Sequence, residues 1–166
     1  MKARKIFGCA VFAVIFFLTG CASQRYHKAI LEKQKFRTDL TGAPTFHWPL
    51  QGRLIVPFGG KDEGISSKGI LVEGSEGQCV YAAQEGQVIF VDESLQGYGK
   101  TLILEHSSDF STVYARNAEI LVSIGQWVRQ GQVVARVGRA GKGGIPRVYF
   151  ELRHFAKPED PLRYLR

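Results

Sequence analysis

The chain has 166 residues, 45% of them hydrophobic, with 22 basic and 15 acidic side chains and a formal net charge of +7. That excess is concentrated at the start: Lys2, Arg4 and Lys5, then Arg25, Lys28, Lys33, Lys35 and Arg37 against Glu32 and Asp39, leave fourteen basic and thirteen acidic residues for 46–166. A nearly neutral body argues against a nucleic-acid partner, and the basic leading segment suits anionic headgroups instead.

Lys2, Arg4 and Lys5 precede an apolar run from Ile6 to Leu18, laid out as a secretion signal and too short for a comfortable membrane span of ~20 residues. The run ends in Leu18-Thr19-Gly20-Cys21, which resembles the lipobox of bacterial lipoproteins. The resemblance implies that 1–20 is a signal peptide and that Cys21 carries several acyl chains, enough for a stable anchor. Ala22 follows instead of Asp, which by the enteric-type sorting rule implies the outer membrane, facing the periplasm. Residues 21–45 then read as the acylated cysteine and a flexible basic tether, poor in large apolar side chains and ending in "TGAP". About 25 residues reach at most ~80 Å extended and average ~28 Å as a coil, so the body stays near its membrane.

From Phe46 onward short apolar runs are punctuated by glycine. "RLIVPFG", "KGILVEG", "QCVYAA", "GQVIFVD", "KTLILEH", "STVYAR", "QWV", "QVVARVG" and "RVYFELR" are strand-sized and rich in Val, Ile, Tyr and Phe, which predicts an all-β antiparallel domain over 46–166. In "RVYFELR", Val148, Phe150 and Leu152 alternate with Arg147, Tyr149, Glu151 and Arg153, one set for the core and one for a polar face. Cys9 falls in the signal and Cys21 is the acyl site, so Cys79 has no disulfide partner; its apolar neighbours suggest a small buried hydrophobe.

"GQCVYAAQEGQVIFV" and "GQWVRQGQVVARVG" repeat a glycine-turn theme similar to barrel-sandwich hybrids such as lipoyl carriers. Here the turn is Arg129-Gln130-Gly131, without the lysine a carrier would modify. A closer resemblance covers almost everything from Phe46 to Leu165. Five blocks, from "FHWPLQGRLIVPFG" to "RVYFELR…DPLRYL", resemble in order and spacing the LytM or lysostaphin-type zinc endopeptidase domain, a duplicated hybrid motif that cuts peptidoglycan cross-links.

That family needs three zinc ligands and two catalytic histidines. Its H-K-G-I-D motif, whose His and Asp bind zinc, here reads Ser67-Lys68-Gly69-Ile70-Leu71; its Y-x-H reads Tyr114-Ala115-Arg116; its H-x-H-F-E reads Arg147-Val148-Tyr149-Phe150-Glu151. Zinc takes imidazole, carboxylate or thiolate, and arginine stays cationic at ordinary pH, so neither metal nor other cofactor, and no catalysis, is expected. His106 is read as structural, and His154 and His47, beside Trp48, lack partners at ligand spacing. "GRAGKGG" lacks the spacing and Ser/Thr of a phosphate loop.

Ser67 and Leu71, Tyr114 and Arg116, and Arg147 and Tyr149 stand at even intervals, so in extended chain each pair shares a face. Together with Lys68 they are expected to line a groove without metal, of residue types suited to protein contacts. Degenerate LytM domains of the EnvC and NlpD type are non-enzymatic activators of N-acetylmuramoyl-L-alanine amidases in cell separation. The resemblance implies that role for the groove, although the chain has neither EnvC's coiled coil nor NlpD's LysM module. An adaptor that holds peptidoglycan or an envelope complex is the alternative, and a residual hydrolase the third reading.

Overall fold

Alternating apolar side chains cannot be buried on one strand alone, and here they close a strongly curled antiparallel sheet. The computed structural model describes residues 44–139 and 144–166. The signal segment, Cys21, the tether up to residue 43 and residues 140–143 of "GRAGKGG" lie outside the described residues.

Described in chain order are β1 (Arg53–Val56), β2 (Lys61–Asp62), β3 (Ile65–Ser66), β4 (Ile70–Glu73), β5 (Cys79–Tyr81) and β6 (Gly86–Leu95). There follow β7 (Gly99–Glu105), β8 (Phe110–Ile120), β9 (Trp127–Val128), β10 (Val133–Arg139), β11 (Pro146–His154) and β12 (Lys157–Glu159), and then a 3-10 turn at Pro161–Arg163. Every strand-sized run read from the sequence forms one of these. The main sheet runs β1-β4-β11-β10-β8-β7-β6-β9, with β5 on β10 and β12 on β11. The fold is all-β, of the antiparallel hybrid type expected.

β11 is the hub. Along one edge it pairs with β4, from Arg147 opposite Glu73 to Phe150 opposite Ile70. It also pairs with β8, from Tyr149 opposite Ala115 to His154 opposite Phe110. The period of two then sorts its side chains as the sequence predicts: Val148, Phe150 and Leu152 join Ile70, Val72, Leu102, Leu104 and Tyr114 in the main core. Gly69 marks how closely β4 meets β11, because a Cβ there would stand 2.3 Å from the Phe150 carbonyl oxygen.

β2 and β3 form a separate two-stranded hairpin that joins no strand of the main sheet. Its turn residues Glu63 and Gly64 have φ of 51° and 85°, the left-handed pair that suits a tight hairpin of right-handed twist. Two-residue strands are too short to show a period, so only this turn could have announced them.

Candidate functional site

The reverse face of β4, β8 and β11 carries some of the positions singled out above, Leu71 and Tyr149 among them. Leu71, Ala115 and Tyr149 are direct neighbours in the ladder and form a second apolar cluster, covered by Ile55 and Val56 of β1 and by Tyr98 at the β6–β7 tip. The Tyr98 and Tyr149 rings meet edge to face at 5.3 Å. Tyr149 is only 6% exposed, and its hydroxyl donates to the Glu151 carboxylate, which also accepts from Arg153 Nε at 2.5 Å. Glu151 is fully buried, so these two donors satisfy a charge that would otherwise be costly. Burial first, then the adjoining Glu151 carboxylate, pushes the Tyr149 phenol well above its ordinary range, which keeps it a donor.

At one end of this floor a bulge re-aims the chain. Between Asn117 opposite Lys100 and Tyr114 opposite Leu102, β8 advances three residues while β7 advances two. Arg116 sits in the extra step with φ of 64°, and its amide donates to the Tyr98 carbonyl at 2.8 Å. The Asn117 amide bonds the Lys100 and Tyr114 carbonyls at 3.0 and 3.1 Å, tying the distorted segment down. Bulges beside functional sites serve to redirect one side chain, and here that side chain is a guanidinium.

Arg116 and Arg147 converge on the β2–β3 hairpin. Arg116 Nη2 pairs with Asp62 Oδ2; Arg147 Nη2 lies 3.6 Å from Asp62 Oδ1 and 3.1 Å from Glu63 Oε1. Side-chain exposure is 17% for Arg116, 16% for Arg147 and 14% for Asp62. Arg116 Nη1 and Arg147 Nε are buried with no hydrogen-bond partner among the described residues.

This arrangement corrects the expected groove in four ways. Tyr114 does not share a face with Arg116; the bulge reverses the alternation and leaves Tyr114 in the main core, its ring against Phe150 at 5.3 Å and its hydroxyl accepting from the Ala83 amide at 2.8 Å. Ser67 precedes β4 rather than lying in it, so strand alternation does not link it to Leu71, and its hydroxyl donates to the Gly69 carbonyl at 2.9 Å. Leu71 and Tyr149 are buried in the floor instead of lining an open channel. Asp62, Glu63 and Tyr98 belong to the site and were missed. Arg116 and Arg147 do come together, while Lys68 stays exposed.

The donor set does not fit zinc. The two positions at its centre present a leucine methyl cluster and a phenol engaged with Glu151, the third a serine engaged with backbone, and two guanidiniums stand beside them. Among the described residues no three His, Cys, Asp or Glu side chains are grouped as a metal would require.

The remaining singled-out residues have local roles. His106 is buried, with Nδ1 2.7 Å from the Glu85 carbonyl and Nε2 2.7 Å from the Thr112 hydroxyl. Burial lowers its pKa to about 4, against the opposing pull of that carbonyl. His154 stacks on Phe110 at 4.2 Å, and His47 and Trp48 line a pocket with Leu50, Gln78, Tyr81 and Arg166. Cys79 departs from the expected buried hydrophobe: it is half-buried, and Arg136 Nη1 approaches its Sγ to 2.8 Å.

A curled sheet that sets β4, β8 and β11 side by side beneath a short hairpin has the layout of a murein peptidase domain of the LytM type. The profile of Peptidase family M23 matches residues 66–161, and the chain belongs to that family. It is 38% identical over 125 residues to the Murein hydrolase activator NlpD of Escherichia coli, which covers 75% of this chain and 32% of that one. It is 40% identical over 120 residues to the Outer membrane antigenic lipoprotein B of Haemophilus influenzae, covering 72% and 29%. Among solved structures, Csd3 of Helicobacter pylori superposes with a TM-score of 0.66 at 25% identity, covering 75% of this chain and 34% of that one. The chain thus spans about a third of the length of these curated relatives.

Proposed function

We propose that this protein is a non-catalytic lipoprotein of the cell envelope that binds and activates a peptidoglycan hydrolase, an N-acetylmuramoyl-L-alanine amidase, from an anchor at Cys21 in the outer membrane. The observation that carries the reading is the refilling of the peptidase site. All five positions that would hold or serve zinc are occupied by side chains that do neither, and they are packed and ion-paired rather than merely lost. Similarity to a protein named as a murein hydrolase activator supports the same reading. An activator works by preference: it must bind the open state of its amidase more tightly than the closed one, or it shifts nothing.

The test is sacculus hydrolysis by the purified full chain, alone and with candidate amidases. The expected result is no release of muropeptides by the protein alone and a several-fold rise in amidase-dependent release in its presence. Cleavage of peptide cross-links by the protein alone would overturn the non-catalytic reading. Tight sacculus binding with no stimulation of any amidase would replace activation by the adaptor role.

A further inference from the structure

The hairpin that touches both arginines is poorly built for stability. Each strand has two residues, and a two-stranded hairpin in water is marginal on its own. It has no ladder to the main sheet, and Ile65, the first residue of β3, is 75% exposed instead of packed. Its backbone ties are local: Gly59 N to the Ser67 carbonyl at 2.9 Å and Ser67 N to the Gly60 carbonyl at 2.7 Å. Across the site it is fastened by Asp62 and Glu63 to Arg116 and Arg147. Elements with few apolar contacts open at low free energy.

The fastening is also incomplete. One aspartate cannot satisfy two guanidinium forks, each able to bind a carboxylate through two parallel N–H groups. Asp62 takes one nitrogen from each arginine, at 3.6 Å in the case of Arg147, and leaves Arg116 Nη1 and Arg147 Nε buried without partners among the described residues. Donors left in that state favour an acceptor that can reach them.

We infer that the Lys61–Ser66 hairpin is an internal latch on this site, with Asp62 holding the place of a carboxylate from a partner protein, and that an acidic segment of the partner displaces it. The inference rests on the activator reading only in assigning that carboxylate to a protein. Lifting the hairpin frees two adjacent cations beside the partly buried Ile55, Val56 and Tyr98 that cover the Leu71, Ala115 and Tyr149 cluster, a surface suited to Asp or Glu flanked by apolar residues. Asp62 then sets the threshold for binding, since every partner must compete with it.

Two measurements on the full chain in detergent test this, and the first needs no partner. In hydrogen exchange, Asp62→Asn should cut protection of the Gly59 and Ser67 amides at least tenfold and leave the β4 and β11 amides unchanged. Glu63→Gln, at a turn side chain 73% exposed, should fold normally and act in the same direction more weakly. Unchanged protection in both variants would overturn the latch. The second is binding of a hexaglutamate peptide, in which Asp62→Asn should bind at least tenfold more tightly than wild type and the added Arg116→Gln/Arg147→Gln pair should abolish the gain. Equal binding by wild type and Asp62→Asn would overturn the assignment of Asp62 as a competitor. Neither readout depends on amidase stimulation, so the latch can fail while the activator reading stands, and the converse.

Discussion

Replacing Tyr149 separates a surface residue from a structural one. Alternation along β11 puts Tyr149 on the polar face, where truncation would change stability by no more than ~0.5 kcal/mol. The folded protein instead buries its ring among Leu71, Ala115, Tyr98, Ile55 and Val56. Removing a buried aromatic ring costs ~3–5 kcal/mol, and loss of its hydroxyl deprives the fully buried Glu151 of one of two donors, a further ~1.5–3 kcal/mol for a bond to a charged group. Tyr149→Ala should therefore lose at least ~4 kcal/mol, a large share of the ~5–15 kcal/mol that holds an ordinary domain together. Tyr149→Phe keeps the ring and should lose only the hydroxyl's share. Urea unfolding followed by the fluorescence of Trp48 and Trp127 measures both. A Tyr149→Ala protein within ~0.5 kcal/mol of wild type would refute the buried floor.

Three other expectations are open to direct measurement. The purified protein should carry far less than one zinc per chain by elemental analysis, with a melting temperature indifferent to chelators; stoichiometric metal would contradict the donor set. His106, held neutral down to about 4 in the fold but titrating near 6.5 when unfolded, takes up a proton on unfolding between those values, so stability is full above about 6.5 and is lost as pH falls toward 4. Urea melts at pH 7.5 and 5.0 should differ by about 2 kcal/mol from this group, and His106→Gln should flatten the slope; an equal slope in the variant would exclude His106 as its source. Cys21→Ser should abolish incorporation of a fatty-acid analogue and shift the protein out of the membrane-lipoprotein fraction, and equal labelling of mutant and wild type would exclude the lipobox.

The fold was legible wherever a strand runs unbroken long enough to show its period. β11 is the clearest case: nine residues with Val148, Phe150 and Leu152 on one side identify both the strand and its core face. Periodicity reports only which side a residue takes, not what covers that side, so Tyr149 and Glu151 looked solvent-facing although Ile55, Val56 and Tyr98 cover Tyr149 and Glu151 is fully buried. The pairing of Tyr114 with Arg116 failed for a different reason. A single extra residue in β8 resets the alternation, and no residue type in "TVYARN" requires a bulge. The β2–β3 hairpin was illegible because its strands are shorter than one period, and with it went Asp62 and Glu63, the acidic half of the site.

Arg116 and Arg147 are poor choices if stability alone is at stake. Half-buried ion pairs contribute little net free energy, since desolvation offsets most of the attraction and apolar replacements often do as well. Arg116 also adopts a left-handed backbone conformation that costs a non-glycine residue of order 1 kcal/mol. A site shaped by stability alone would more simply extend the Leu71–Ala115 floor with aliphatic side chains. Two guanidiniums kept close together, one of them turned into the site by a bulge and both incompletely satisfied among the described residues, are better explained by what they bind than by what they hold together. That asymmetry ties the refilled peptidase site to recognition of an acidic partner, with the hairpin carboxylates supplying the resting-state counter-charge.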